Sequence, residues 1–360
     1  LLSGLVGSEM CIRDRNREAA LHNIKYVCPP LATYLKNTYS DAVDLFIRDK
    51  GDVIALQAGE GTTQGDPPAS SFYAMSTVPI IEHLGNVKDV TCHQAWFADD
   101  STVAGKLDNV IKLWDELKCI GPGYGYFPNA RKSVLIVKEE FIDKAKETFG
   151  DSGVIITTEG QRHLGAVIGS EEYRKKFVSD LVSGWVEQVN KLSDVAKSDP
   201  HGAYTAFTFG LIHKWSYFQR TIPNSSAFYQ PLEQAIRQNF IPAITGKNCS
   251  DIERSLFALP CRLGGLGLPN PVETADRVFY ESLSITEPLV MKIIGQDSML
   301  DDVTAKSVEA NKSSCKMANE LRLKLTHSQV LSALPDTLQR LTKLNSESGA
   351  SIWLTTLPLR

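Results

Sequence analysis

The pattern of apolar residues changes once along this chain, at about Ser170, and this change limits the folds that the chain can adopt. Before Ser170, short apolar runs typical of strands alternate with segments of helical spacing, and glycine and proline separate them. After Ser170 the spacing is mainly helical, and no internal repeat is present. The sequence therefore predicts an α+β region followed by an all-α region.

The composition is that of a folded protein. Of 360 residues, 42% are hydrophobic and 22% are charged, with a net charge of -4, which excludes wholesale disorder. No run approaches the roughly 20 apolar residues of a membrane-spanning helix, so we expect no membrane partner. The seven cysteines contain no CxxC pair, and we interpret them as reduced thiols of an intracellular protein of the cytoplasm or nucleus.

Residues 1–15 are interpreted separately. Residues 1–6 are apolar, but no basic segment precedes them and no small-residue cleavage site follows, so they are a poor signal peptide. The next eight residues, GSEMCIRD, resemble the translated end of a transposon-based sequencing adapter. We therefore predict that residues 1–15 are not native and leave them out of the predicted fold. The alternative is a genuine polar N-terminal segment.

The α+β region has clear element boundaries. Pro29 and Pro30 separate two helices, Pro67 suits the first turn of another, and a Gly-Pro-Gly cluster at 121–123 ends a fourth. The predicted helices and strands are helices over 17–27, 31–39, 107–117 and 139–149, a helix from 67, hairpins of 44–49 with 53–57 and of 87–97 with 101–104, and strands over 133–137, 154–158 and 163–168.

Two adjacent carboxylates, Asp99 and Asp100, lie between two short strand-like runs and are expected at the tip of a hairpin. Repulsion between two such groups is relieved by a hard divalent cation, which binds through oxygen and leaves positions open for phosphate. An isolated Asp-Asp pair is also typical of an ordinary turn. The motifs around the pair bear on this choice.

Four short motifs occur in order around the carboxylates: GTTQGDP at 61–67, FADD at 97–100, FPNARKS at 127–133 and HLG at 163–165. In this order they resemble motifs B, C and D and the primer-gripping hairpin in the palm of reverse transcriptases, closest to those of non-LTR and related retroelements. The sequence LPCRLGGLG at 259–267 resembles a GGLG element of related proteins. The resemblance covers residues 16–286. It implies a palm over 16–169, a helical thumb and connection over 170–286, and a helical C-terminal region of unknown role over 287–360.

The activity that the resemblance implies is RNA-directed DNA polymerisation. An RNA template, a DNA primer and dNTPs would be the partners, and Mg²⁺, with Mn²⁺ as the alternative ion, would be the cofactor. Asp99 and Asp100 would hold the metal ions, and Lys132 would face the triphosphate as a cation able to protonate the leaving group. Further contacts with nucleic acid or dNTP would come from Gln64, Gly65, Phe97, His163, Leu164 and Gly165.

Simpler interpretations exist for several of these residues. Gln64 and Gly65 could belong to an ordinary turn, Lys132 could be a solvated surface lysine, and Phe97 could be a core residue. The loop at 61–67 lacks the Gly-Lys-Ser/Thr of a P-loop, so a phosphate-binding loop of that kind is excluded.

One part of the family's palm is not found. The resemblance implies a further aspartate, in motif A, upstream of Gly61. None of the acidic residues between 16 and 59 has the surroundings of that motif: Glu18, Asp41, Asp44, Asp49 and Asp52. Without this carboxylate the metal ions lose a bridging ligand, so we expect the chain as given to be inactive. The alternatives are a non-catalytic nucleic-acid-binding remnant of a retroelement and another palm-type nucleotidyltransferase.

Residues 201–250 combine positive charge with aromatic rings. Lys214, Arg220, Arg237 and Lys247 stand against Glu233 alone, and the same stretch holds nine aromatic residues. Such a combination is typical of surfaces that hold phosphate and stack on bases, which makes Lys214 and Arg220 candidate nucleic-acid contacts. An aromatic helical core with a few surface cations would give the same pattern.

Overall fold

The computed structural model describes residues 2–6, 17–59, 61–62, 66–97, 100–295, 297 and 301–356. The chain divides into two compact units, one of Leu1–Gln161 with Lys292–Ser298 and one of Arg162–Met291 with Met299–Arg360. Helices predominate and the described sheets are small, which agrees with the predicted α+β class. The first division falls ahead of the predicted boundary at 169/170.

The first unit contains most of the strands. Its helices and strands are, in chain order, β1 (Leu2–Val6), α1 (Arg17–Val27), α2 (Pro29–Tyr39), β2 (Val43–Asp49), β3 (Asp52–Ala58), α3 (Ala69–Gly85), β4 (Cys92–Phe97), β5 (Asp100–Gly105), α4 (Leu107–Ile120), β6 (Val134–Ile136), α5 (Ile142–Phe149) and β7 (Ile155–Thr157). Most bounds agree with the predicted ones to within a few residues. Helix α2 begins at Pro29 rather than at 31 because proline fits the first helical turn.

A five-stranded sheet in the order β4-β5-β1-β6-β7 is the centre of this unit. Strand β1 is antiparallel to both of its neighbours, and β6 and β7 are parallel. Apolar side chains of α3, α4 and α5 cover one face of the sheet. On that face they pack with Val103 of β5 and Leu135 of β6. The opposite face carries Phe97 of β4 and Asp100 of β5.

Strand β1 differs from the expectation that residues 1–15 lie outside the fold. Leu5 pairs with Thr102 of β5 on one side and with Val134 of β6 on the other. Without a strand in this position, β5 and β6 would each leave a row of N–H and C=O groups unpaired, which is costly. The uncharged segment LSGLV satisfies both rows. The adapter origin of residues 1–15 stays a prediction.

Two smaller assemblies complete the first unit. Helices α1, α2 and α3 share a core built from Ala20, Ile24, Leu35, Tyr39 and Phe72. Strands β2 and β3 form a two-stranded sheet, and no other strand of the described residues pairs with them. The predicted hairpin around Lys50 and Gly51 is thereby confirmed.

The second unit is helical, as predicted for the residues after Ser170. In chain order, the remaining helices and strands are β8 (Gly160–His163), β9 (Ala166–Gly169), α6 (Glu171–Ala196), α7 (Pro200–Ala206), α8 (His213–Thr221), α9 (Gln230–Ala235), α10 (Ile241–Thr245), α11 (Asp251–Ala258), α12 (Pro271–Ile294), α13 (Asp302–Ala333), α14 (Asp336–Asn345) and α15 (Ile352–Thr355). Val178, Val182, Trp185 and Val189 form the buried stripe of α6. None of the described helices is both long and apolar enough to cross a membrane.

Candidate functional site

The β4–β5 hairpin carries the sequence FADD. Phe97, the last residue of β4, pairs with Asp100, the first residue of β5. The two residues at the tip, Ala98 and Asp99, lie outside the described residues. The predicted hairpin is therefore confirmed on both sides of its tip, and the role of Asp99 stays a prediction.

Side chains on one face of the hairpin hold it against the helices. The amide of Gln94, which is buried, donates to the carbonyl of Ile81 in α3 at 3.0 Å. The indole N–H of Trp96 donates to Oε1 of Gln94 at 3.0 Å, and its ring meets the buried ring of Tyr126 edge-on at 5.6 Å. These contacts fix the position of the strand that leads to the carboxylates.

The other face of the hairpin presents Phe97 and Asp100. Side chains alternate across a strand, and on β5 Ser101 and Val103 are buried, whereas Asp100 and Thr102 are half-buried. Phe97, opposite Asp100, is 67% exposed. The alternative of Phe97 as a core residue is therefore wrong, and its ring is available to a ligand beside Asp100.

A tight turn presents Lys132 just before β6. Asn129 caps this turn: its Oδ1 accepts from the backbone N–H of Arg131 at 2.9 Å, and its carbonyl accepts from the buried hydroxyl of Ser133 at 2.8 Å. Lys132 itself is exposed. The sequence NARKS thus encodes a capped turn that sends a lysine to the surface at the start of a buried strand.

The strand register brings Lys132 and Asp100 to the same end of the sheet. Leu5 of β1 lies between Thr102 and Val134, and Asp100 and Lys132 each precede these partners by two residues. Strands β5 and β6 are separated by two strand spacings, roughly 10 Å. Residues of the FADD and FPNARKS motifs therefore lie at one end of the sheet. The sequence alone did not show this.

The loop that contains Gln64 and Gly65 lies partly outside the described residues, and both residues fall in that part. Its flanks are anchored by two side chains that sequence reasoning missed. Arg17 donates from Nε to the carbonyl of Gly61 at 2.7 Å and from Nη1 to that of Asp41 at 2.8 Å. The Tyr39 hydroxyl donates to the Asp66 carboxylate.

Arg17 and Tyr39 support each other. The Arg17 guanidinium lies 5.7 Å from the centre of the Tyr39 ring. Burial and the adjacent Asp66 carboxylate raise the pKa of Tyr39, so it remains a neutral donor. The available signal was spacing: Arg17, Ala20 and Ile24 follow one face of α1, and a buried arginine on such a face requires buried acceptors.

The HLG sequence forms the turn of the β8–β9 hairpin. Leu164 and Gly165 both have positive φ, 47° and 82°, as a two-residue type I′ turn requires. The Tyr217 hydroxyl donates to the Leu164 carbonyl, and a Cβ at residue 165 would meet the Tyr217 ring at 3.5 Å. The segment 163–168, predicted as a strand, is therefore interrupted by this turn. The roles of His163, Leu164 and Gly165 in binding stay predictions.

Most aromatic residues of 201–250 belong to a core. Five of the nine are buried: Tyr204, Phe207, Trp215, Tyr229 and Phe240. Phe209 and Tyr217 are exposed by 56% and 41%. The aromatic-core alternative is thus correct for the larger part of the stretch.

The positive charge of the same stretch is largely compensated just beyond residue 250. Arg237 pairs with Asp251, and Lys247 pairs with Glu253 at 2.6 Å. Among the described residues, no carboxylate partners Lys214, whose Nζ donates to Gln188 at 2.6 Å, or Arg220. A basic surface in this region therefore reduces to these two exposed cations.

A buried ion pair that was not predicted lies in the helical unit. Arg254 of α11 donates from Nε and Nη2 to the two carboxylate oxygens of Glu233, both at 2.7 Å, and from Nη1 to the Leu268 carbonyl at 2.8 Å. Both side chains are more than 90% buried. Glu233, the single acid of residues 201–250, is therefore part of the core.

The GGLG element has a structural role. A Cβ on Gly265 would lie 2.1 Å from the Leu259 carbonyl oxygen, so only glycine fits there. The next carbonyl, of Leu266, accepts from the Tyr204 hydroxyl at 2.7 Å. These contacts hold the loop after α11 against α7.

The described residues do not complete a metal site. They contain no group of three or more His, Cys, Asp or Glu side chains that could hold an ion. Asp100 is the one predicted metal ligand among them, and the neighbouring strand β1, LSGLV, carries no carboxylate. A two-ion site needs oxygen ligands from several carboxylates, so the described set does not fit such a site.

The similarity of this chain to known proteins is distant. No family model matches the chain, and no curated protein matches it. Among solved structures, it is similar to telomerase from Candida albicans, solved in complex with a TWJ fragment of telomeric RNA, at 12% identity and a TM-score of 0.34. The similarity covers 86% of this chain and 49% of that chain, so this chain spans about half of the solved one. A similarity this weak does not assign a function.

Proposed function

We propose that this chain is the palm and helical portion of a reverse-transcriptase-like protein of a retroelement, and that it binds an RNA template paired with a DNA primer. The motif order GTTQGDP, FADD, FPNARKS and HLG supports the proposal. The observation that carries it is the register of the five-stranded sheet, which brings the FADD and FPNARKS motifs to one end of the sheet.

The side chains at this end of the sheet suit the binding of a primer end. An exposed ring such as Phe97 packs on a base or sugar, and an exposed cation such as Lys132 holds phosphate. The carboxylate of Asp100 provides oxygen for a divalent cation such as Mg²⁺ or Mn²⁺. The proposal is that the three groups contact one nucleotide and its phosphates.

Catalysis requires more than binding. Transfer of a nucleotide from a dNTP to the primer 3′-hydroxyl by two metal ions needs further carboxylate ligands, and the resemblance implies one on the strand beside the FADD hairpin. That strand is β1, whose five residues include no acid. The chain as given is therefore proposed to bind nucleic acid without extending it, which favours the alternative of a non-catalytic remnant.

Replacing Lys132 with alanine should weaken primer–template binding. One phosphate contact is lost, so the dissociation constant should rise about three- to tenfold at moderate salt, and the salt dependence should decrease by about one ion. Fluorescence anisotropy with a labelled RNA–DNA primer–template measures both quantities.

Lys138→Ala is the matched control. Lys138 follows β6, at the opposite end of that strand, and is similarly exposed beside Glu140. This variant should bind like the unmodified chain. Equal weakening by both substitutions would mean a diffuse charge effect. It would contradict a binding site at the end of the sheet that contains Asp100.

A further inference from the structure

Strand β2 presents an unpaired apolar edge. The two-stranded sheet of β2 and β3 has no third strand among the described residues. Val43, Leu45, Phe46 and Ile47 are each more than 40% exposed, and Phe46 reaches 70%. A two-stranded hairpin is marginal by itself, and an exposed apolar edge favours pairing with another strand.

The turn determines which backbone groups of β2 point outward. Lys50 and Gly51 both have positive φ, so the hairpin has a two-residue type I′ turn closed by the hydrogen-bonded pair of Asp49 and Asp52. Hydrogen-bonded and non-hydrogen-bonded pairs alternate along an antiparallel ladder. The N–H and C=O groups of Asp44, Phe46 and Arg48 therefore face away from β3.

The sequence of β2, VDLFIRD, is complementary to itself when it is read antiparallel about Phe46. In that register Asp44 of one copy lies opposite Arg48 of the other, twice by symmetry, and Phe46 lies opposite its own copy. These three residues are the same ones whose backbone groups point outward. Neither Asp44 nor Arg48 has an ion-pair partner within the described chain, and both are exposed.

The other edge has no such pattern. Strand β3, DVIALQA, has a single charged residue, Asp52, at its end. The segment 41–58 contains four aspartates against Arg48 and Lys50, which disfavours a nucleic-acid partner. The self-complementary charge pattern is therefore found on β2 and not on β3.

We infer that β2 pairs antiparallel with β2 of a second copy of this chain, about a twofold axis at Phe46, to form a four-stranded sheet. Such an interface uses one surface of both copies, as twofold dimers do. Backbone hydrogen bonds at Asp44, Phe46 and Arg48 and two Asp44–Arg48 ion pairs hold the sheet together. This inference is independent of the proposed function.

Charge reversal tests the register. Sedimentation velocity over a concentration series should show a monomer–dimer equilibrium for the full chain. Asp44→Arg and Arg48→Asp each place like charges opposite one another at two positions, and each should weaken the dimer about tenfold or more. The double variant restores opposite charges and should return the dimerisation constant to within about threefold of the original.

Proline substitution tests the edge independently. Phe46→Pro removes an outward N–H without breaking a bond to β3 and should abolish the dimer. Ala55→Pro, at the paired position on β3, removes an N–H from the opposite edge and should leave dimerisation unchanged. Circular dichroism verifies that both variants fold. A chain that remains monomeric at all concentrations would overturn the inference, and so would a dimer unaffected by single charge reversal or by Phe46→Pro.

Discussion

The purified chain should add no nucleotide to a DNA primer on an RNA template in the presence of Mg²⁺ and dNTPs, and it should match its Asp99→Ala variant in this respect. The reason is the composition of β1, which occupies the strand position next to β5 and supplies no carboxylate there. Metal-ion stabilisation of the transition state is worth several kcal/mol, so an incomplete ligand set should lower the rate by roughly 10³-fold or more. Single-nucleotide extension assayed on a sequencing gel is sensitive enough to detect residual addition of nucleotides.

The same assay should be repeated with Mn²⁺, which binds carboxylate sites more tightly than Mg²⁺. Extension that disappears in Asp99→Ala would contradict the prediction, because it would show a working metal site in residues 1–360. Extension that persists unchanged in Asp99→Ala would reveal a contaminating polymerase. Retained binding of the primer–template, measured in parallel, shows that the protein is folded.

The largest predicted loss of stability follows from Glu233→Ala. The substitution leaves the Arg254 guanidinium buried with one acceptor, the Leu268 carbonyl, in place of three. Removing one partner of a buried ion pair costs about 3–5 kcal/mol. The free energy of unfolding of the helical unit, from chemical denaturation followed by circular dichroism, should fall by this amount.

Two variants control for this prediction. Glu187→Ala breaks an exposed ion pair with Lys191 and should leave the unfolding free energy unchanged within error. The double variant Glu233→Met with Arg254→Leu removes both charges and should recover most of the loss. A Glu233→Ala protein as stable as Glu187→Ala would show that the pair is not buried in solution.

Local patterns predicted most of the secondary structure. Helix α4 and the β4–β5 hairpin follow from apolar spacing, and the glycines and prolines around them determined the ends of the elements. The alternation of strand and helix was sufficient for the α+β class. These features depend on residues close together in the sequence, which is why they could be predicted.

Features that depend on distant partners could not be predicted. Strand β1 lies between β5 and β6 and pairs with the backbone groups of both strands. No local sequence signal predicts this position. The burial of Glu233 could not be predicted because its partner, Arg254, lies 21 residues later in the chain. The exposure of Phe97 depends on which face of the sheet the helices cover.

The central claim is that the end of the sheet with Phe97, Asp100 and Lys132 binds the primer end. Photo-crosslinking tests it directly and does not require activity: a DNA primer with a 3′-terminal 4-thiothymidine is annealed to RNA, bound, irradiated and mapped by mass spectrometry. We predict that the principal crosslink lies in the peptide containing Phe97 and is lost in Phe97→Ala. Crosslinks confined to residues after 170, or none above those seen with excess unlabelled primer–template, would contradict the claim.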